Sequence, residues 1–385
     1  MGSNTPSNFD NLPDWTSPIL HLTHPTPEER IATWKLNGVN WGTALKPHEY
    51  LEREAHLMTV PHAKEGGVTH WILVDSSLPP NERPILGSCE SLRKRVLVVK
   101  DGVVTESVAG GIGSVFCNPE YRGKKYASRM IKEVGNKLRD WQADKSLGEK
   151  TCPFSFLFSD IGKKFYASHG WHVFPSKHVA LQPSKLPHGA QVDCIPLHDD
   201  DLQALCEIDE AQLRKQLVQE KSDKIRVALI PDLETYQWHH HREVFVTSKI
   251  FAKTPTIKGA ISGEPGSRVW AIWTRSYYGP LKPESGNALH ILRIIVEDET
   301  ASSENAEKLK GILQLAQHEA QGWELSEVQF WNPTEIVQSL LHQTGLQWKE
   351  EDREQDSIAS LMWYGEGNGG QDEISWVANE KYGWC

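Results

Sequence analysis

No run of apolar residues in this 385-residue sequence approaches the ~18 that a membrane-spanning helix needs, and residues 1–15 are polar, without a hydrophobic signal region. The expectation is a soluble cytoplasmic protein with no membrane partner. Met1-Gly2 opens like a myristoylation signal, but Pro6 stands where Ser or Thr is needed, which excludes that lipid. The six cysteines (Cys89, Cys117, Cys152, Cys194, Cys206, Cys385) form no Cys-x-x-Cys pair. A zinc ribbon, a dithiol redox motif and a disulfide framework are therefore not expected, and most of these residues read as reduced core thiols. An excess of positive charge is also missing: 41 Lys and Arg stand against 51 Asp and Glu, a net charge of −10. That balance argues against nucleic acid or an anionic membrane as the main partner. Low-complexity and heptad patterns are absent, and a 38% hydrophobic share suits packed cores. The length predicts two domains.

Strong local signals begin near Trp71. Arg95–Lys100 and Val103–Ser107 are β-rich and flank Asp101-Gly102, a pair suited to the positive φ angles of a two-residue hairpin. Gly111–Cys117 reads as a further strand whose glycines suit a bulge or a close backbone approach, ending at Asn118-Pro119. Between Arg122 and Trp141 the apolar residues Tyr126, Met130, Ile131, Val134, Leu138 and Trp141 follow helical spacing. A strand over Phe154–Phe158, a short helix over Ile161–Ser168 capped by Gly170, and a strand over Trp171–Leu181 follow. Pro183, Pro187, His188 and Gly189 then mark a boundary, dividing the chain into 1–185 and 190–385. Beyond it the order of elements repeats: strands at Val269–Ser276 and Ala288–Asp298, a helical stripe from Leu309 to Trp323, a strand at Val328–Trp331, a helix at Thr334–His342 and a closing strand at Ser357–Tyr364. The fold class is α/β (α+β, mixed sheet), with the second half a degenerate copy of the first.

Chemistry concentrates in Cys117-Asn118-Pro119-Glu120-Tyr121-Arg122-Gly123-Lys124-Lys125-Tyr126-Ala127-Ser128. A strand feeding a short loop that opens an amphipathic helix gathers unpaired backbone N–H groups and the positive helix end, and Arg122, Lys124 and Lys125 add cations. Such a site suits a pyrophosphate; the alternative is a solvated basic turn. This segment resembles the coenzyme A loop of the GNAT acyl-CoA N-acyltransferases, Arg/Gln-x-x-Gly-x-Gly/Ala, at Arg122 and Ala127. Lys125 departs from it, standing where the family has Gly, and a positive φ there would cost on the order of 1 kcal/mol or more. Either Lys125 keeps a negative φ or coenzyme affinity suffers. A second segment, Phe158-Ser159-Asp160-Ile161-Gly162-Lys163-Lys164-Phe165-Tyr166-Ala167-Ser168-His169-Gly170-Trp171, resembles the family's next strand-helix unit. Gly111–Phe116, Ser159–Gly162 and Trp384-Cys385 further resemble the fungal L-lysine ε-acetyltransferase family, which carries a distinctive C-terminal domain.

The resemblance implies a GNAT fold and direct transfer of acetyl from acetyl-CoA to a small primary amine, free L-lysine first among them, in a ternary complex. It places the coenzyme on Val115, Phe116, Cys117, Arg122, Gly123, Lys124, Lys125, Tyr126, Ala127 and Ser159, and makes Tyr166 the acid that protonates the departing thiolate. A second half with Glu297-Asp298-Glu299-Thr300 at the equivalent loop would repel pyrophosphate and is expected to shape the substrate cleft. The terminal segment Trp376–Cys385, with Trp376, Tyr382 and Trp384, is expected to pack on the first half and close the amine pocket. An amine protonated at neutral pH needs a base, and Glu52, Glu54, Glu90 and Glu106 are candidates that the sequence leaves as surface carboxylates. His239-His240-His241 point in three directions on a helix and are not expected to share a metal; one lining the substrate pocket is the better reading. Other acceptors, a polyamine or an amine-bearing toxin, and a non-catalytic acyl-CoA-binding role remain as alternatives, and oligomeric state is open.

Overall fold

The computed structural model describes residues 12–142, 152–186, 192–219 and 222–384. Met1–Pro6, the boundary residues Pro187, His188 and Gly189, and Cys385 lie outside them. The first half runs β1 (Leu20–Thr23), α1 (Pro27–Trp41), α2 (Pro47–Leu57), β2 (Val68–Asp75), β3 (Gly87–Lys100), β4 (Val103–Phe116), α3 (Tyr126–Leu138), β5 (Phe154–Ser159), α4 (Lys164–Ala167), β6 (His172–Val173) and β7 (Lys177–Leu181). The second runs β8 (Ile195–Leu197), α5 (Leu202–Gln219), β9 (Ile225–Leu229), α6 (Leu233–Phe251), β10 (Gly259–Ser262), β11 (Val269–Ser276), β12 (Ala288–Val296), α7 (Ser303–Gly322), β13 (Glu327–Trp331), α8 (Glu335–Gln343), β14 (Lys349–Asp352), β15 (Ile358–Trp363) and β16 (Ile374–Trp376). No helix among the described residues is long and apolar enough to cross a membrane.

Two mixed sheets result. The first has the order β1-β2-β3-β4-β5-β15-β6, with β9 on the outer stretch of β3 and β16 on β9; the second has the order β14-β7-β13-β12-β11-β10-β8. In each, an antiparallel hairpin pair is followed by a helix and a strand parallel to the last one: β4, α3, β5 in one and β12, α7, β13 in the other. The repeated order read in the sequence is thus a repeated topology.

The closing strands, however, are exchanged. β15 lies between β5 and β6, pairing antiparallel with both, while β7 lies between β13 and β14. The single strand expected over Trp171–Leu181 is therefore two strands in different sheets, joined across Phe174–Ser176. The strand expected to close the second copy, Ser357–Tyr364, completes the first sheet instead. Each side of the boundary drawn at 185–190 supplies an interior strand to the other's sheet.

Side-chain alternation shows why both sheets are buried on two faces. On β5, Phe154 and Phe156 join Val96, Trp270, Ile272, Leu292 and Trp376 in a core between the sheets, while Leu157 points the other way, into a core with Met130, Ile131, Val134 and Leu138 of α3. A third core lies between the second sheet and α7, from Ala271, Trp273, Leu289, Ile291 and Val328 to Leu309, Ile312 and Ala316. At about 1.5–3 kcal/mol per fully buried large side chain, these layers outweigh any single polar contact.

Three local backbone features shape the groove. Asp101 (φ 52°) and Gly102 (φ 77°) make the tight β3–β4 turn that their sequence predicts. The β3–β4 register slips between Ser88↔Phe116 and Glu90↔Gly113, with Ser114 at φ 52°, so β4 carries a bulge there. Beyond it, β4 and β5 part: their parallel pairing spans only Gly110–Ile112 and Ser155–Leu157. The loop then enters α3 through Gly123 (φ 80°) and Lys125 (φ 63°). Lys125 therefore takes the left-handed conformation that family members give to glycine, and its ammonium lies 5.2 Å from the centroid of the Trp15 ring. A cation–π contact worth roughly 0.5–1 kcal/mol offsets much of a strain of about 1–2 kcal/mol.

Two outcomes are expected. Residues 1–185 and 190–385 produced separately each lack an interior strand and should show no cooperative melt by circular dichroism until mixed; independent cooperative melts would make the exchange dispensable. Lys125→Ala loses the Trp15 contact while keeping the strain, whereas Lys125→Gly relieves it. In urea denaturation the Gly variant should be more stable than the Ala variant by about 1 kcal/mol; the reverse order would mean that position 125 is not strained.

Candidate functional site

The gap between β4 and β5 widens into a cleft of about 610 Å³, roofed by residues of α1, α2 and α6 and by Trp384. One end is built by the bulged strand and the loop that follows it. Val115, Phe116, Cys117, Arg122, Ala127 and Tyr166, all predicted site residues, line it. Past Ile112 the backbone of β4 has no ladder partner on β5, so its polar groups face the gap. The first turn of α3 carries no acidic residue, and its N-cap, Lys125, makes no side-chain cap. Its amide N–H groups, with the positive end of the helix, are thus left to meet an anion.

The remaining predicted residues are placed otherwise. Gly123, Lys124 and Lys125 form the exposed loop rim. Arg122 braces that loop, its Nε donating to the Cys117 carbonyl (3.2 Å) and its guanidinium lying 5.6 Å from the Phe116 ring centroid. Tyr126 is buried beneath α3, its hydroxyl donating to the Pro13 carbonyl (2.6 Å). Ser159 is buried too and holds the turn after β5: its hydroxyl donates to the Gly162 carbonyl (2.8 Å) and accepts from the Ile161 amide (3.2 Å). Tyr126 and Ser159 thus support the walls rather than line the cleft. The Cys117 thiol donates to the Leu86 carbonyl (3.3 Å), and burial pushes its pKa up, so it is not poised as a thiolate.

Tyr166 sits on α4 with its ring edge-on to Phe165. Burial raises its phenol pKa well above the ordinary value, and the neighbouring Cys89 and Asp160 raise it further. The phenol is therefore neutral, carrying its proton, at neutral pH. The cleft is also lined by two of the four carboxylates that the sequence left as surface groups. Glu90 on β3 is buried, with His70 Nε2 3.2 Å from one oxygen and the Ser114 hydroxyl donating to the other (3.2 Å). Burial favours its neutral form, but the adjacent His70 ring and the Ser114 hydrogen bond outweigh this and hold its pKa below the usual carboxylate range. Glu54 on α2 is gripped by Arg53 through Nε and Nη2 (2.8 and 2.5 Å), and Arg53 stacks over Tyr50. Glu52 pairs with Lys249 and Glu106 with Arg95 and Arg214, both away from the cleft. Alternation on β3 gave no sign that Glu90 faces inward, because Glu90 sits where the register slips.

A second chamber of about 600 Å³ opens beyond the first, sharing Asn40, Trp41, Asp160, Arg242 and Trp384 as a common wall. Its lining includes Glu327, Glu351, Asp352, Glu354 and Asp356 besides Asp160. Trp384 thus stands where both chambers meet, stacked near His239, while Trp376 packs edge-on to Phe156 of the first sheet. His239 Nε2 donates to the Tyr382 carbonyl and His240 Nε2 to the Trp273 carbonyl (3.0 Å each), and the His241 ring lies 5.6 Å from that of His56. The three rings do point apart, and none lines either chamber. Among the described residues no group of three or more His, Cys, Asp and Glu is arranged to hold a metal ion. In the second half, Glu297 is consumed by Arg268 and the Gly266 amide, and Ser302 caps α7, so that helix end presents no comparable opening.

Comparison with known proteins agrees with this architecture. Residues 178–385, more than half of the chain, match the LYC1 GNAT-like C-terminal domain. The uncharacterized protein YGR111W of Saccharomyces cerevisiae is 26% identical over 82% of this chain and 84% of its own length. The lysine acetyltransferase of Yarrowia lipolytica is 25% identical over 66% of this chain and 71% of its own. Among solved structures, a conserved Enterococcus faecalis protein described as a probable N-acyltransferase (TM-score 0.52, 14% identity) and a GCN5-related N-acetyltransferase of Anabaena variabilis (TM-score 0.50, 12% identity) each cover 89% of this chain, with 71% and 72% of their own chains covered. These two share its fold. An open helix end, a splayed strand pair and a family match over more than half of the sequence lead to one conclusion: the chain belongs to the LYC1-like GNAT family and is an N-acetyltransferase of GNAT type.

Proposed function

We propose that the enzyme transfers the acetyl group of acetyl-CoA to a primary amine, that of free L-lysine foremost, by direct attack in a ternary complex. The observation that carries this reading is the gathering of three groups at one cleft: an open helix end with a cationic rim, a neutral phenol at Tyr166 and the ionised, buried Glu90. The residues fit the coenzyme. The α3 amides, Arg122 and the lysine rim suit a pyrophosphate, and the unpaired edge of β4 at Val115–Cys117 suits an extended amide-bearing arm. Bound there, acetyl-CoA supplies an activated thioester carbonyl.

The protein's own groups do the rest. Backbone N–H groups on the splayed strand are fixed donors for the oxygen on which negative charge grows. Glu90, kept ionised by His70 and Ser114, accepts the ammonium proton directly or through water, because the ε-ammonium of lysine (pKa ~10.4) cannot attack while protonated. Tyr166, kept neutral by burial, returns a proton to the sulfur. The carboxylates around the second chamber favour a cationic acceptor, in keeping with the lysine acetyltransferase relative. Thiol release from acetyl-CoA mixed with L-lysine and with a polyamine tests this, and release with neither would overturn it.

Tyr166→Phe keeps the ring packing and should lower kcat by about a hundred-fold while leaving acetyl-CoA binding nearly intact. Unchanged turnover, with chemistry rate-limiting, would mean that water protonates the thiolate. Glu90→Gln should lower kcat/KM by about a hundred-fold at pH 7, the deficit closing toward pH ~10, where the free amine needs no base. Because the Glu90 pKa is held low, the wild-type enzyme should keep this base ionised down to acid pH and lose it only as pH falls through that lowered value. A deficit that stays constant with pH would reduce Glu90 to a structural role.

A further inference from the structure

Arg242 is a cation that the fold places but does not pair. It lies on α6 four residues after Trp238, on the same face, and both reach the first chamber; Arg242 also lines the second. Its neighbour Glu243 turns the other way into a buried cluster with Lys258 and Arg275. Among the described residues no carboxylate lies within ion-pair distance of the Arg242 guanidinium. What it touches is the face of Trp384, 5.3 Å from the ring centroid. Glu54, the carboxylate that acts on it electrostatically, is already held by both prongs of Arg53. Burial and the repulsion of Arg53 push the Arg242 pKa down to about 10, against the pull of Glu54. The ammonium of Lys381 stands 4.2 Å from the same Trp384 ring. The wall between the chambers thus carries the Arg242 guanidinium, while Glu90 lines the first chamber and Asp160 lines both.

We infer that Arg242 is the specificity-determining residue of the acceptor subsite, the group that takes the carboxylate of an amino-acid acceptor. This rests on the acetyl-transfer reading above and names the side chain that would tell an amino acid from a simple amine. A planar guanidinium takes a carboxylate by two parallel bonds, an orientation that a simple diamine has no means to use. With the carboxylate at the wall, the side-chain amine extends into the first chamber toward Glu90, and the α-ammonium stays on the side of Asp160. A polyamine brings no carboxylate to this guanidinium and would set further positive charge beside it.

The test uses the full chain with acetyl-CoA and compares L-lysine with 1,5-diaminopentane, which differs from it by the carboxylate alone. The expected result is a kcat/KM at least a hundred-fold higher for lysine, with Arg242→Met losing about a hundred-fold for lysine, mostly in KM, and less than threefold for the diamine. Arg242→Lys, which keeps charge but not the fork, should fall between. Equal use of the two amines by the wild-type chain would overturn the anchor without any variant, as would equal losses on both. Should neither amine be acetylated, the acetyl-transfer reading fails separately. Calorimetry of the same two probes with the coenzyme A-loaded chain then decides the anchor: lysine binding that Arg242→Met abolishes supports it, and equal or absent binding of the pair overturns it.

Discussion

Hydrogen bonds from β15 to β5 on one side and β6 on the other place the second half of the chain inside the first sheet, and the cleft depends on that placement. β5 can part from β4 only because its other edge is fully occupied, from Phe154↔Trp363 to Ser159↔Ile358. A strand held on neither side would fray or collapse onto its neighbour. The opening is therefore a rigid wedge, and the side chains that line it inherit its geometry.

The same placement gives the cleft its electrostatic order. Buried charges are costly unless paired, and most here are: Arg293 with Asp209 and Glu380, Glu243 with Lys258 and Arg275, Glu54 with Arg53. Against this background two groups stand out: a buried carboxylate beside a histidine and a hydroxyl, and a guanidinium resting on an indole face. The two chambers that they line meet at one tryptophan.

Local chemistry was legible in the sequence and long-range pairing was not. The Asp101-Gly102 turn, the α3 stripe, the loop from Asn118 to Lys125 and the position of Tyr166 all follow from residues near one another in the chain. The repeated order of elements was visible for the same reason. The exchange of β7 and β15 was invisible, because an apolar strand flanked by turns reads alike whichever sheet receives it. Glu90 was one of four candidate bases that the sequence could not tell apart, and Arg242 was not singled out at all, for a related cause. Glu90 faces the cleft beside a register slip that alternation cannot reveal, and Arg242 matters because of Trp384, some 140 residues away. Tyr126 and Ser159 show the converse: residues inside a recognisable motif whose side chains serve the wall.

The exchanged strands also bear on how the chain is made. Synthesis proceeds at about 5–20 residues per second, so β5 and β6 leave the ribosome roughly 10–40 seconds before β15 is available to fill the slot between them. Through that interval the nascent first sheet carries an unfilled gap flanked by Phe154, Phe156 and Phe158, an adhesive surface of the kind that chaperones shield. Trp384 follows β15 in the chain, so the wall that it gives to both chambers forms later still, once that gap has been filled.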